Sequence, residues 1–247
     1  MSEDSIRLYR THLHACGYFR ERQASNHVLD PESPRLASVY GQALAQGFRR
    51  AGDVLYRTAC PGCSACVPYR IPVWQFVPKR SQKRVLARNT DIQIHWRPAA
   101  LGEEHLALYQ RYLGHRHRGG GMDGAGAEDF SRFLLSTWAQ TWFMELRFAD
   151  RLIGCAVTDL CSDSASAVYT YFDPDLSTRS LGTLAILKQI EHCRINALPH
   201  LYLGFWIQGH PKMDYKRQFG PGQQYLNQHW QPLGDPGLQP ALAVTPD

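Results

Sequence analysis

The sequence predicts an α+β protein, in which a mixed β-sheet carries helices on its faces and is preceded by a smaller cysteine-bearing region. Three observations predict it. From residue 103 onward, two helical patterns are followed by three strand patterns, then helix, strand, helical turn and strand. Four of the seven cysteines, Cys16, Cys60, Cys63 and Cys66, fall early in the chain. The composition, 247 residues with 44% hydrophobic and 20% charged, supplies core enough for one large domain or two small ones.

The elements follow from local patterns. After Pro34, Leu36, Val39, Tyr40, Ala43, Leu44 and Phe48 recur at helical spacing, and Gly47 sits near the helix end. Residues 54–57 are short and apolar enough for a strand, and the rest of the N-terminal third reads as irregular, made of turns, short apolar runs and the cysteine cluster. Residues 67–77 alternate with prolines, which predicts an edge strand or extended segment. Residues 81–88 predict a helix with Arg80, Arg84 and Arg88 on one face, Lys83 beside them and Val85 and Leu86 turned inward. Residues 91–96 alternate as a strand, and Arg97-Pro98 marks a domain boundary, giving an N-terminal domain over 1–97 and a C-terminal domain over 98–247.

The C-terminal part reads as helix 103–113, a glycine- and histidine-rich loop 115–126, helix 128–137, and strands 141–148, 151–160 and 165–172. Helix 180–195, strand 200–207, a helical turn at 212–218 and a last strand at 225–230 complete it. That order matches an N-acetyltransferase-like (GNAT-like) mixed sheet. No stretch approaches the ~18 apolar residues that span a bilayer, and residues 1–10 lack the pattern of a secretory leader. A cytoplasmic protein without a membrane partner is expected.

Four segments carry chemistry. Residues 79–88 hold five cations and no anion, a composition suited to a polyanion because each neutralised phosphate releases counterions. Cys60, Cys63 and Cys66 are spaced to converge on one ion, with Cys16, or His12 or His14, as a fourth ligand. The loop 173–183 opens a helix, where free N–H groups meet anions, and Arg179 and Gly182 partly echo a pyrophosphate-binding loop. Residues 201–216 mix aromatics with Lys212 and Lys216, suited to a single-stranded nucleic acid end.

The chain resembles the arginyl-tRNA–protein transferase-related family. The N-terminal resemblance is carried by Gly47-Phe48-Arg49-Arg50, Tyr56, the Cys60/Cys63/Cys66 run with Pro68-Tyr69-Arg70-Ile71-Pro72-Val73, and Phe76 to Arg84. The C-terminal resemblance is carried by Tyr169 to Pro174, Ser180-Leu181-Gly182, Tyr202 to Ile207 and Lys212-Met213-x-Tyr215-Lys216. It covers about residues 8–230 and is nearest the bacterial, leucine-transferring branch. That resemblance implies transfer of leucine from leucyl-tRNA to proteins beginning with Asp or Glu, marking them for degradation through the N-degron pathway. The eukaryotic branch carries a Cys-x2-Cys pair and a Cys-Cys pair; here position 19 is Phe and Val67 follows Cys66, so the resemblance does not itself supply that branch's iron–sulfur or haem ligands, and the three-cysteine run offers replacements.

The implied reaction is aminolysis of an activated ester, which needs no redox cofactor or ATP. Arg80, Lys83, Arg84, Arg88, Arg179, Gly182, Lys212 and Lys216 are the candidates for tRNA. Arg70, Arg49 and Arg50 are the candidates for the acceptor's carboxylate, and Asp173 for the attacking amine. A structural zinc or iron–sulfur cluster on Cys16, Cys60, Cys63 and Cys66 is the one metal expectation. Arginyl transfer, a CoA-dependent acyltransferase and a zinc-ribbon-like RNA-binding protein are the alternatives.

Overall fold

The computed structural model describes residues 5–116 and 126–234; most of the loop expected at 115–126 lies outside the described residues. The chain opens with strands β1 (Leu8–Arg10), β2 (His14–Ala15), β3 (Gln23–Ala24) and β4 (Asn26–Leu29), then helix α1 (Leu36–Ala45), β5 (Arg49–Ala51) and β6 (Val54–Thr58). β7 (Val67–Pro72), α2 (Arg80–Arg88) and β8 (Gln93–Pro98) follow. Next come α3 (Glu103–Arg116), α4 (Ala127–Leu134), β9 (Thr141–Phe148), β10 (Arg151–Leu160), β11 (Ser164–Phe172) and a 3-10 turn, Pro174–Arg179. α5 (Leu181–Ile195), β12 (His200–Trp206), a second 3-10 turn (Asp214–Gln218), β13 (Gln223–Leu226) and β14 (His229–Pro232) end the described chain.

A GNAT-like mixed sheet organises the molecule. Its eight strands run in the order β14-β13-β7-β12-β11-β10-β9-β8. β11 and β12 are its parallel pair; the other neighbours are antiparallel. β10 is buried from Leu152 to Asp159 without alternation, the pattern of a strand covered on both faces. On one face α2 and α5 pack through Val85, Leu181, Leu184 and Ala185 onto Met144, Ile153 and Ala156. On the other, α3 and α4 pack through Leu108, Tyr109, Phe130 and Leu134 onto Phe143, Val157 and Tyr171.

Four features differ from the sequence expectation. The N-terminal third is not irregular: β1, β4, β6 and β5 form a four-stranded sheet, whose strands are too short to show a period. β7 is not an edge strand, for it lies between β12 and β13. Its ladder to β13 covers only Tyr69 and Arg70, so the donor-less Pro68 and Pro72 flank it. The last strand is a hairpin whose turn residues Asn227 and Gln228 both have positive φ, 50° and 65°, which suits the twist of a two-residue loop. Helix α4 stops at Leu134, three residues early, because Ser136 and Thr137 turn to Asp53; the Thr137 N–H donates to its Oδ1 at 2.7 Å. Residues 97 and 98 are the last two of β8, and strands from both sides of that position share the large sheet.

Candidate active site

The fork between β11 and β12 makes the site. The two strands hydrogen-bond only where Ser164–Ser166 face His200–Tyr202. Just beyond, the β10–β11 register passes from Ala167 to Tyr169 and the β12–β7 register from Tyr202 to Gly204, so each strand carries a bulge. Strands that part leave backbone groups and space for side chains from elsewhere, and β5 fills it with Arg49.

The Arg49 guanidinium lies over the rings of Tyr56 and Phe205, 5.7 and 5.3 Å from their centroids. Gly204 makes room for it: its φ is +72°, and a Cβ there would stand 3.4 Å from Nη1 of Arg49. Burial works against the charge on Arg49, and the phenols of Tyr56, Tyr18 and Tyr40 and the Cys66 thiol work for it. Its Nε is buried with no hydrogen-bond partner among the described residues.

Lys216 is brought to the same place by the turn Asp214–Gln218, which rolls it under β12. It is 5% exposed, and its Nζ donates to the Phe205 carbonyl. Burial, then the charge of Arg49, hold its pKa well below that of an ordinary lysine. Tyr215 is 41% exposed, yet its phenol is pushed up to about 12 by burial, with Tyr112, Arg116, Arg49 and Tyr18 acting on it. Tyr169, on β11, faces Phe133 and Tyr112 with centroids 5.2 and 6.3 Å away. Its Oη is buried without a partner among the described residues, and burial raises its pKa far above the ordinary phenol value. The loop between β2 and β3 closes the rim, where Tyr18 and Phe19 meet His210 edge-on at 5.7 and 5.9 Å. The result is an aromatic site that holds the Arg49 cation and the buried Lys216 amine, suited to an anion or an acyl group's polar oxygen.

The structure brings only part of the sequence-derived set here. Arg50, next to Arg49, points the other way into a buried ion pair with Asp159, and each of its nitrogens finds an acceptor. It is a structural tie and has no free edge for a substrate carboxylate. Arg70 lies on β7, with Nε donating to Gln223 Oε1 at 2.7 Å, Nη1 to the Tyr202 hydroxyl at 3.2 Å, and its plane over Trp230. Asp173 is buried; Oδ1 accepts from Arg111 and from the Asp175 N–H, and Oδ2 pairs with Arg151 at 3.2 Å. With both oxygens occupied, Asp173 is the cap of the turn Pro174–Arg179 and not an open proton acceptor.

Arg179 closes on Asp91 through two bonds of 2.8 and 2.9 Å, and a Cβ at Gly182 would meet the Phe172 ring at 3.2 Å. Gly182 thus seats α5 against β11, and neither residue offers a pyrophosphate cradle. Lys216, expected on the surface with tRNA, is buried, whereas Lys212 is exposed. Arg80, Lys83, Arg84 and Arg88 are all exposed on α2, with Arg88 also donating to the Thr178 carbonyl. Gln82 of the same helix donates to the Gln218 carbonyl, two residues past Lys216, so the basic helix adjoins the cleft wall. Tyr18, Tyr56, Tyr112 and Tyr169 were not singled out for chemistry; they come from separate elements and share no local pattern.

Cys16, Cys60 and Cys63 all act on Cys66, whose thiol is pushed up to about 12 by burial and by those three neighbours. Cys63 Sγ accepts from Arg22 at 3.3 Å and Cys60 Sγ donates to the Ser25 carbonyl at 3.6 Å. Among the described residues, no group of three or more Cys, His, Asp or Glu is placed to hold a metal ion. Cys63 and Cys60 thus each have a protein partner, while Cys16, Cys60 and Cys63 all lie near enough to Cys66 to act on its thiol. No helix among the described residues is long and apolar enough to cross a membrane.

Comparison with known proteins gives a consistent result. Family models for the arginine-tRNA-protein transferase match at residues 14–84 (N terminus) and 104–226 (C terminus). The aspartate/glutamate leucyltransferase of Stenotrophomonas maltophilia (strain K279a) is 50% identical over 234 residues, spanning 92% of this chain and 93% of its own length. That of Xanthomonas campestris pv. campestris (strain B100) is 51% identical over 238 residues, 94% of each chain. Among solved structures, the C-terminal domain of an Agrobacterium fabrum protein described as a lysylphosphatidylglycerol synthetase aligns with TM-score 0.51 at 15% identity, over 81% of this chain and 64% of that one. This last is a likeness of fold alone.

Proposed function

The chain belongs to the arginine-tRNA-protein transferase family, and from that premise we propose that it is an aspartate/glutamate leucyltransferase. It takes leucine from leucyl-tRNA and joins it to the α-amine of proteins that begin with Asp or Glu, in the cytoplasm, as a step of N-degron protein turnover. The observation that carries the reading is the junction of α2 with the cleft. A helix exposing Arg80, Lys83, Arg84 and Arg88 is hydrogen-bonded through Gln82 to the segment that buries Lys216 beside Arg49. A polyanion held on α2 places its end near the aromatic site around Arg49.

The chemistry needs no cofactor. The α-amine of the acceptor, with a pKa near ~8, is partly neutral at physiological pH. It attacks the ester carbonyl, the new C–N bond forms, and the C–O bond to the ribose breaks, with the amine's proton passing to the departing ribose oxygen. The protein's tasks are to hold both partners and to meet the oxyanion with donors. The Tyr169 phenol stays protonated and has a hydrogen to give. Arg179 and Gly182 are already committed to Asp91 and Phe172, which speaks against a CoA-dependent reading.

The test is transfer of labelled leucine from leucyl-tRNA to a peptide beginning with Asp, run beside arginyl-tRNA and beside acetyl-CoA. Incorporation from leucyl-tRNA alone supports the reading. Incorporation from arginyl-tRNA or acetyl-CoA in its place overturns it.

A further inference from the structure

We infer that Arg49 reads the acidic side chain at the start of the acceptor protein, taking its carboxylate in the aromatic cleft where β11 and β12 part. The inference rests on the leucyltransferase reading and narrows three candidate arginines to one.

The choice follows from what each guanidinium already holds. Arg50 is saturated by Asp159, Thr141 and the carbonyls of Gly52, Leu134 and Leu135. Arg70 is bonded to Gln223 and Tyr202 and covered by Trp230. Arg49 retains a buried Nε without an acceptor. Arg147 and Arg179 each close on a carboxylate, but the groups acting most strongly on Arg49 are phenols and a thiol. A desolvated guanidinium without an anion is costly, and an arriving carboxylate removes that cost.

The open edge of Arg49 suits a carboxylate. Tyr56 and Phe205 stand edge to face with centroids 6.1 Å apart, 5.7 and 5.3 Å from the guanidinium carbon, and Gly204 lies against it, so the Nε edge is what remains without an acceptor. A planar carboxylate matches such an edge by paired N–H···O bonds. The tetrahedral phosphates of tRNA already have exposed cations on α2. Lys216 adds a donor and not a second charge: its Nζ stands in the same wall, where burial and Arg49 favour the neutral amine. An acceptor beginning with Asn would leave Arg49 unpaired, so discrimination comes from a stranded charge as well as from a lost bond.

The experiment compares Asp-starting and Asn-starting peptides with leucyl-tRNA as donor, on the full chain and on Arg49→Gln. In the variant, kcat/KM for the Asp peptide is expected to fall on the order of 100-fold, as for truncation of a buried charge partner. The Asn peptide should change by less than about 3-fold and KM for leucyl-tRNA should hold, since no group serving either is removed. An Asp-to-Asn ratio unchanged in Arg49→Gln overturns the inference. So does a raised KM for leucyl-tRNA with the ratio intact, which would give Arg49 to a tRNA phosphate. If Arg49→Gln fails to melt cooperatively, Arg49→Lys is read on the same peptides; an unaltered ratio there overturns the inference, and a ratio reduced by about tenfold supports it. Should the wild type transfer no leucine, the leucyltransferase reading fails by itself. Calorimetric binding of the two peptides to wild type and variant without tRNA then still decides Arg49, with equal affinities in the wild type counting against it.

Discussion

Arg50 and Asp159 form a fully buried, two-point ion pair, with Nε to Oδ2 at 2.6 Å and Nη2 to Oδ1 at 2.8 Å. Tyr40 and Thr141 donate to the same carboxylate at 2.6 and 2.7 Å. The pair fastens β5 to β10, and through it fixes the adjacent Arg49 in the fork. Breaking one partner strands the other in a dry core. Asp159→Asn is therefore expected to cost about 3–5 kcal/mol of stability, read from denaturant unfolding midpoints. A loss under about 1 kcal/mol, the worth of an exposed pair, would show that the site admits water.

Lys216 sets a pH dependence whose sign is fixed. Its folded pKa lies well below the ordinary value, from burial first and Arg49 second, with Cys66 opposing. Between the folded and unfolded pKa values the unfolded chain binds a proton that the native chain does not. Stability therefore rises with pH in that window, by up to about 1.4 kcal/mol per pH unit from this residue, and is lost as pH falls toward the folded value. Lys216→Met should flatten the unfolding free energy between neutral pH and pH 10 relative to the wild type. Parallel curves for the two proteins would count against a buried, neutral amine.

The basic face of α2 is testable through salt. Replacing Arg80 and Arg84 by Glu should weaken tRNA binding and shrink the slope of log affinity against log salt by about 2, roughly one per lost phosphate contact. Filter binding at several ionic strengths gives the slope. A slope equal to the wild type would remove α2 from the tRNA interface.

Cys66 should be unreactive. A thiol pushed up to about 12 leaves about one molecule in 10,000 ionised at pH 8, and the thiolate is the nucleophile. Alkylation of Cys66, followed by peptide mass spectrometry, should run on the order of 1,000-fold slower than that of a free thiol peptide. Fast labelling would mean that a cation absent from the present side-chain arrangement holds the thiolate.

The long elements were legible because their pattern is strong. The apolar run of β10 and the long, apolar stretch of α5, whose residues 184–187 are all buried, declare themselves in one dimension. The strands β1 to β6 run from two to five residues, too short for periodicity to rise above composition. The site was legible as a set of residue types but not as an arrangement. Arg49 and Arg50 are neighbours on one strand, and alternation sends them to opposite surroundings; nothing in the pair Arg-Arg says which one meets Asp159. Lys216 lies in a polar run that reads as surface, and only the 3-10 turn reveals that it is tucked beneath Phe205. Asp173 looked like a base because its two arginine partners, Arg111 and Arg151, lie on other elements.

β7 sits between two strands that are made much later. Its Arg70 is 132 residues from Tyr202 on one side and 153 from Gln223 on the other. During translation at roughly 5–20 residues per second, β7 leaves the ribosome on the order of ten seconds before the second of those strands exists. For that interval Tyr69 and Ile71 have no core to enter. The newborn chain must be sheltered or must stay loose until β12 and β13 have been made, and any stall between β7 and β12 holds it in its most vulnerable form.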